Sequence, residues 1–329
     1  AQKHPSGGPL VSNPTSAIQR HHHITLCVGG AQEDYDFHTK VLGMKSVKKT
    51  LLYDGQVPIY HLYYGNDRGE ESTLVTSFPM RQTGRKARRG SGQIQTLCLS
   101  VAPDALPFWE ARLRDHGFEA KTREFFGERR LVFEHPCGIE YELVGVADDA
   151  RTPHTKGPVP TEMGVRGMHS ILVSVREEEL SEEFMEEGWG GRRGSSDGKV
   201  RRYELGDGGS GALIDYIVEP NRAPGSWALG EGFVHHCAFQ VADFGEQDAV
   251  KGYLEGIGYT DVSDRKDRGY FDSIYVRTPG GPLFEATVSK AAGFATDEAP
   301  EEIGQQIMLS PQFEAQRDEL LAQLEKIDY

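Results

Sequence analysis

Hydrophobic residues concentrate in four short runs that resemble one another along the chain. The runs begin at His23, Thr96, His169 and His236 and have the sequences HITLCV, TLCLSV, HSILVS and HCAFQV. Their first residues lie 73, 73 and 67 positions apart, a near-constant spacing that is typical of an internal repeat. Because each run is dense in strand-forming residues, each predicts a β-strand.

A helix-like segment and further strands follow each run. The helical candidates are AQEDYDFHTKVLG, DALPFWEARLRDHGF, EEELSEEFMEEGW and QDAVKGYLEGIGY. Three of them end at Gly43, Gly117 and Gly258, as expected where a glycine closes a helix. The strands behind them finish with STLVTSF, GIEYELVG, GALIDYIV and GPLFEATV. The pattern therefore predicts an α+β fold of four tandem βαβββ modules.

A module of about 70 residues cannot cover its own sheet, so modules must combine in pairs. The stretch GPVPTEMG has the Pro and Gly content of a connector. The predicted organisation is a flexible arm at 1–17, modules 1 and 2 at 18–156, a linker at 157–164, modules 3 and 4 at 165–300, and a C-terminal helical segment at 301–329. That last segment contains an amphipathic stretch that begins at Pro311 and predicts a helix.

Charge and composition exclude several classes of function. A formal net charge of −14 disfavours nucleic acid and anionic membranes as partners, because both would repel the chain. No apolar run spans the roughly 20 residues that a membrane helix needs, and no signal peptide is visible, so we expect a cytoplasmic protein. The four cysteines form no CxxC pair and are expected to be reduced. The basic run 81–89 and the glycine-rich stretch 188–211 predict a solvated loop and a flexible hairpin connection.

The repeat allows candidate metal ligands to be compared at equivalent positions. The last strands of modules 2, 3 and 4 contain Glu142, Asp215 and Glu285, whereas module 1 has only Ser72 and Thr73 near that place. Pairing module 1 with module 4 groups His23, His236 and Glu285. Two histidines and one carboxylate leave about three coordination positions open, which suits Fe(II) that must bind both a substrate and O₂.

Pairing module 2 with module 3 gives a second set, Glu142, His169 and Asp215, with Thr96 in place of the other histidine. This set has a single nitrogen ligand and two acids. We interpret it as a degenerate copy of the first set.

The motifs HHIT at 22–25 and VHHCAF at 234–239, followed 49 residues after His236 by Glu285 in FEAT, resemble the vicinal oxygen chelate superfamily. Within it the chain is most similar to the ring-cleaving dioxygenases of para-hydroquinones, typified by 2,6-dichlorohydroquinone 1,2-dioxygenase. The resemblance covers the chain from about Ile18 to the C-terminal helix. It selects His23 as the ligand within the triple histidine that starts at His21. It implies Fe(II), with Mn(II) as an alternative, O₂ as co-substrate and a small hydroxylated aromatic substrate.

The same resemblance implies further residues of the site. His22 and His235 precede the two metal histidines and are candidates for moving protons. Thr25, Arg268 and Tyr275 match other positions of the family's pocket, where Tyr275 would donate a hydrogen bond and Arg268 would neutralise negative charge. Because successive strand residues face opposite sides, His22 and His235 reach the pocket only if their strands twist or bulge.

Three other functions remain open from the sequence. A glyoxalase-like lyase or isomerase would need a fourth protein ligand, and a catechol-type extradiol dioxygenase normally takes its ligands from the two C-terminal modules. A non-catalytic protein that binds an aromatic or antibiotic molecule would need no metal ligands. The amphipathic C-terminal helix could contribute to a homo-oligomer.

Overall fold

The predicted repeat is present throughout the part of the chain that the computed structural model describes, residues 17–329. Of the predicted N-terminal arm, 1–17, all but Ala17 lies outside the described residues. None of the helices in 17–329 is both long and apolar enough to cross a membrane. All four cysteines are free thiols, as predicted.

Each module consists of one strand, one helix and three further strands. Module 1 contains β1 His21–Val28, α1 Ala31–Asp36, β2 Lys45–Leu52, β3 Ile59–Gly65 and β4 Leu74–Pro79. Module 2 contains β5 Gln93–Val101, α2 Leu106–Asp115, β6 Lys121–Phe125, β7 Glu128–Glu134 and β8 Glu140–Gly145. Module 3 contains β9 Gly167–Val175, α3 Glu179–Glu183, β10 Arg192–Asp197, β11 Val200–Glu204 and β12 Leu213–Val218. Module 4 contains β13 Phe233–Gln240, α4 Phe244–Gly256, β14 Lys266–Asp267, β15 Phe271–Arg277 and β16 Leu283–Ser289. The α+β class and the four βαβββ modules are confirmed.

The ends of the helices follow the predicted glycines. Gly43, Gly117 and Gly258 have φ angles of 68°, 82° and 108°, a region that residues with a side chain rarely adopt. In modules 1 and 3 the helix finishes with a π-helical turn, Phe37–Val41 and Phe184–Gly188, so these helices are wider at their ends than the sequence pattern predicts.

Two eight-stranded sheets form, one from the outer modules of the chain and one from the inner modules. The first has the order β14-β15-β16-β13-β1-β4-β3-β2 and combines modules 1 and 4. The second has the order β10-β11-β12-β9-β5-β8-β7-β6 and combines modules 2 and 3. Each sheet therefore takes one module from either side of 157–164, and the division of the chain into two domains at that stretch stays a prediction.

The alternation of side chains along β1 decides which face carries the site. Ile24, Leu26 and Val28 belong to the main hydrophobic core, which also contains strand residues of the second sheet and helix residues. The other face of the first sheet carries the alternate residues of β1, which are His23, Thr25 and Cys27. The first sheet thus turns its apolar side to the core and its imidazole side to a separate space.

Two predicted segments differ from their sequence-based expectation. The glycine-rich stretch, predicted as a flexible hairpin connection, forms an antiparallel hairpin of two regular strands, β10 and β11. The helix that was predicted from Pro311 is a 3-10 helix over Pro311–Gln316 followed by a single α-helical turn, α5 Arg317–Leu321. Because α5 buries only Leu320, little apolar surface holds this segment as one continuous helix.

Candidate metal centre

The three predicted ligands meet on adjacent strands in the middle of the first sheet. His23 lies on β1, His236 on β13 and Glu285 on β16, and their ligand atoms all lie within 4.8 Å of one another. His236 Nε2 is 2.9 Å from Glu285 Oε1, and His23 Nε2 is 3.7 Å from Glu285 Oε2. All three side chains are buried. The predicted triad is therefore a compact group of two imidazole nitrogens and one carboxylate.

The chemistry of this group fits a divalent cation. Glu285 Oε1 is buried and accepts no hydrogen bond of acceptable geometry, although it touches an imidazole. Burial alone would raise the pKa of Glu285, but the imidazoles of His236 and His23 hold it well below its ordinary value, so the carboxylate is ionised. Burial also lowers the pKa of His23, which keeps its nitrogen free of a proton. A buried carboxylate with an unsatisfied oxygen beside imidazole nitrogens is a favourable donor set for a cation.

A β-bulge turns His22 towards the ligand that follows it. On the antiparallel partner β13, Phe239 pairs with His21 and Ala238 pairs with His23, so His22 is an extra residue in the ladder. Its Nδ1 lies 2.9 Å from Nδ1 of His23. If Nε2 of His23 held a cation, its Nδ1–H would donate to His22 and fix the orientation of the ligand ring.

The partner strand repeats this arrangement. Thr25 pairs with His236 and Leu26 with Val234, so His235 is the extra residue on β13. His235 Nδ1 lies 2.7 Å from Nδ1 of His236. The bulges that the sequence analysis required for both neighbouring histidines are present.

The two neighbouring histidines differ at their second nitrogen. His22 Nε2 contacts Ser289 Oγ at 2.7 Å, and Ser289 donates to Glu71 Oε1 at 2.5 Å. His235 Nε2 makes no hydrogen bond to any residue of 17–329, and this side chain is partly exposed. Burial and the neighbouring His236 lower the pKa of His235 to about 3. Of the two, His235 offers a free ring nitrogen beside the metal site.

Tyr275 and Arg268 form one wall of the site, on the side of β16. Tyr275 on β15 pairs directly with Glu285, and its ring lies 6.1 Å from that of His236 at 90°. Arg268 Nε donates to the Tyr275 hydroxyl at 2.7 Å, and Arg268 is exposed. Burial raises the pKa of Tyr275, so its phenol keeps a proton at neutral pH.

The module 1 position equivalent to Glu285 is Thr76, which corrects the sequence-based choice of Ser72 and Thr73. On the parallel pair β1–β4, Thr76 lies opposite Thr25, as Glu285 lies opposite Ala238 on β13–β16. Thr76 Oγ1 is hydrogen-bonded to Thr25 Oγ1 at 2.7 Å. Module 1 thus supplies no carboxylate, as predicted, but the equivalent residue lies three positions after Thr73.

Sequence reasoning missed two side chains on β3 that face the same space. His61 contacts Thr76 Oγ1 through Nε2 at 3.2 Å, and Tyr63 OH contacts His61 Nδ1 at 3.0 Å. The ligand strands β16, β13 and β1 lie between β15 and β3, so His61 and Tyr63 lie across the site from Tyr275. The available signal was the alternation of IYHLYYG, which puts His61 and Tyr63 on one face.

A shift of one residue separates the second predicted set from the first. Ser170 pairs with Leu213 on the parallel strand β12, as His236 pairs with Leu283 on β16. His169 therefore occupies the bulge position of His235, not a ligand position, and the sequence-based alignment of module 3 was wrong by one residue.

Arginine side chains hold the two carboxylates of this second set. Glu142 is paired with Arg123 and with Arg130, whose Nη1 lies 3.1 Å from Oε2. Asp215 accepts two hydrogen bonds from Arg202 at 2.9 and 3.0 Å. Guanidinium groups thus supply the positive charge that a cation would provide. Within 17–329 this set is not among the groups that could hold a metal.

A second group with metal-ligating side chains lies at the end of α1, between the modules. It consists of Asp34, His38 and His135, all fully buried. Asp34 accepts hydrogen bonds from Tyr64 at 2.7 Å and Ser77 at 2.5 Å and contacts His135 at 2.8 Å. Because its donors and acceptors are paired within the protein, this group is a structural network rather than an open site.

The comparisons with known proteins agree with this geometry. Chlorohydroquinone/hydroquinone 1,2-dioxygenase of Sphingobium indicum is 46% identical over 303 residues, which cover 91% of this chain and 94% of the relative. The crystal structure of a "putative dioxygenase" from Bacillus subtilis is 32% identical, with a TM-score of 0.87 over 94% of this chain and 98% of that one. Glyoxalase I of Zea mays, at 16% identity and a TM-score of 0.60 over 82% of this chain and 92% of that one, shares the fold. No model of a known protein family matches the chain.

These similarities confirm the fold and the resemblance that the histidine motifs indicated. The match to the Sphingobium relative spans almost the whole of both chains, so it includes both modules that build the metal centre. The chain belongs to the ring-cleaving dioxygenases of the vicinal oxygen chelate superfamily, in the group that contains hydroquinone 1,2-dioxygenase.

Proposed function

We propose that the protein opens the ring of a para-hydroquinone with O₂, using Fe(II) held by His23, His236 and Glu285. The observation that carries the proposal is the donor set itself. Two imidazoles and one carboxylate converge, and the equivalent fourth position holds Thr76, a residue without a carboxylate. Such a site leaves room for a substrate and O₂ together. The identity of 46% to a hydroquinone 1,2-dioxygenase supports the choice of substrate class.

Bound Fe(II) would lower the pKa of a substrate hydroxyl and pass electron density from the ring to O₂. The protein's own contribution is to hold and orient. His22 and His235 keep the two ligand rings in place through their Nδ1 atoms. Mn(II) has similar ligand preferences and is the alternative ion.

The walls of the site would handle the proton and the charge of the substrate. Tyr275 keeps its proton and can donate a hydrogen bond to a negative oxygen, while Arg268 supports the phenol from the exposed side. His235 presents the ring nitrogen that is not engaged within the described residues and can accept or return a proton as the ring opens. His22 is committed to Ser289, so we assign it an orienting role rather than contact with substrate.

A glyoxalase-like isomerase is the competing enzyme class because the fold is shared. That chemistry favours a metal with four protein ligands, which leaves little space for O₂. Here Thr76 takes the fourth position and is engaged by Thr25 and His61. The donor set therefore favours the dioxygenase.

Anaerobic reconstitution with Fe(II), followed by oxygen-electrode assays on a panel of hydroquinones and catechols, tests the proposal. We expect O₂ consumption with hydroquinones in an equimolar ratio to ring opening. Glu285→Ala should abolish both iron retention and O₂ uptake, while Glu142→Ala, in the second sheet, should retain the iron. Uptake with catechols but not with hydroquinones would overturn the proposed substrate class.

A further inference from the structure

Four side chains of module 1 form a hydrogen-bonded row along the wall that faces Tyr275. The row runs from Thr25 to Thr76, from Thr76 to His61 and from His61 to Tyr63, with distances of 2.7, 3.2 and 3.0 Å. None of the four has a role in the reaction proposed above, although the family resemblance implies Thr25 as a residue of the pocket. All members are buried or nearly so, and they lie on three adjacent strands.

Two residues of the row, Tyr63 and Thr76, are the module 1 equivalents of Tyr275 and Glu285 in module 4. On β3–β4, Tyr63 pairs with Thr76, as Tyr275 pairs with Glu285 on β15–β16. Tyr63 is thus the pseudo-symmetric counterpart of Tyr275. Its ring lies 6.3 Å from that of Phe271, which in turn lies 4.7 Å from the ring of His23. The two tyrosines therefore flank the metal ligands from opposite sides.

The number of hydrogens in the row leaves one hydroxyl hydrogen free at one of its two ends. A neutral imidazole has one donor nitrogen and one acceptor nitrogen, so His61 must donate at one side and accept at the other. If Tyr63 donates to His61, then His61 donates to Thr76 and Thr76 to Thr25, and the hydroxyl hydrogen of Thr25 has no acceptor within the row. If Thr25 donates to Thr76 instead, then Thr76 donates to His61 and His61 to Tyr63, and the hydroxyl hydrogen of Tyr63 has no acceptor within the row. Neither end hydroxyl has another partner among residues 17–329, so either direction leaves one free donor.

We infer that this row, with His61 at its centre, binds the hydroxyl of the aromatic substrate that is not on the metal. The inference rests on the proposed function and names how the substrate class is recognised. The two hydroxyls of a para-diol lie at opposite ends of the ring, so one on the metal sends the other across the pocket. Phe78, whose ring is 4.4 Å from that of His61, offers an apolar surface for the ring itself.

Burial supports a fixed role for the central histidine. Burial and the neighbouring His236 lower the pKa of His61 to about 3, so it stays neutral and keeps one donor and one acceptor through the range in which enzymes work. His61 is a positioning residue in this scheme, since the hydroxyl of Thr25 or Tyr63 makes the contact with substrate.

Equilibrium binding of two ligands to the anaerobic, Fe(II)-loaded enzyme tests the inference. Hydroquinone has the distal hydroxyl and phenol lacks it, while both can place one hydroxyl on the metal. We expect His61→Phe and Thr76→Val to weaken hydroquinone binding about tenfold, the typical effect of losing one buried hydrogen bond, and to change phenol binding by less than about twofold. His61→Gln retains a donor and an acceptor and should restore most of the difference.

A matched control separates this effect from general loss of packing. His169 is a buried histidine of the second sheet, paired with Glu128 at 2.7 Å, and His169→Phe should leave both affinities unchanged. Equal losses for hydroquinone and phenol in His61→Phe, or no loss in any row variant, would overturn the inference. Absence of O₂ uptake by the unmodified enzyme with any hydroquinone would instead overturn the proposed reaction, whatever the two affinities are.

Discussion

Removing the charge of the buried Glu285 carboxylate should affect the protein differently with and without the metal. In the metal-free protein its Oε1 is an unsatisfied buried acceptor that touches the nitrogen of His236. Glu285→Gln removes the charge, keeps the shape and supplies an amide N–H that can donate to His236 Nε2. The contacts with His236 and His23 that lower the pKa of Glu285 favour its charge and oppose this gain. We therefore expect the substitution to change the stability of the metal-free protein little and to prevent stabilisation by Fe(II).

The magnitude follows from the cost of an unsatisfied buried group. Such an acceptor costs about 1–3 kcal/mol, and more when it is charged. The imidazole contacts that lower the pKa of Glu285 offset this cost. One kcal/mol shifts the melting temperature of a chain of this length by roughly 2 °C, so metal-free Glu285→Gln should melt within about 2 °C of the unmodified protein. Fe(II) at about 100 times its Kd adds about 2.7 kcal/mol to the unmodified protein, a rise of roughly 5 °C that the variant should not show.

Thermal unfolding followed by circular dichroism, with a chelator and then with Fe(II) under anaerobic conditions, measures both effects. Asp215→Asn is the control. Asp215 is paired with Arg202 in the second sheet, so this variant should be less stable than the unmodified protein both with the chelator and with Fe(II). A metal-free Glu285→Gln protein that melts well below the unmodified one would refute the reasoning. So would a variant that Fe(II) stabilises as strongly as it does the unmodified chain.

Three further results are expected. Thr76→Glu places a carboxylate at the fourth ligand position, so metal should bind more tightly while O₂ uptake disappears; uptake at the original rate would contradict this. Tyr275→Phe should slow turnover at unchanged iron content, whereas a parallel loss of iron would make Tyr275 a structural support. Burial lowers the pKa of His21 to about 3, so below pH 6.5 the unfolded chain binds a proton that the folded chain does not. As the pH is lowered from 6.5 towards 3, His21 should therefore reduce the free energy of unfolding by about 1.4 kcal/mol for each pH unit. His21→Gln should remove this contribution from the measured pH dependence.

The repeat and the triad could be predicted because both depend on residue type at fixed spacing. His23, His236 and Glu285 lie within three strands whose alternation the sequence displays. The pairing of module 1 with module 4 followed from comparing equivalent positions. These features needed no knowledge of loop geometry.

The remaining details depend on register, which one sequence does not reveal. Ser170 and Thr76 are the true equivalents of ligand positions, and each differs from the predicted residue by a short shift along its strand. A β-bulge moves every later side chain by one place, so an extra residue at 169 is invisible in the hydrophobic pattern. The row through His61 was missed because its members come from three strands that only the folded sheet brings together.

The arginines of the second sheet were equally hard to foresee. Arg123, Arg130 and Arg202 lie on three different strands, and nothing in their spacing indicates that they converge on Glu142 and Asp215. Sequence comparison within the repeat could recognise that one site had lost its ligands. It could not identify the side chains that replaced the cation.

A crystal structure of the Fe(II)-loaded protein, with anomalous diffraction measured on either side of the iron absorption edge, tests the central claim most directly. We predict one anomalous peak for each chain, within coordination distance of Nε2 of His23, Nε2 of His236 and a carboxylate oxygen of Glu285. A peak beside Asp34, His38 and His135 instead, or none at the triad, would contradict the account.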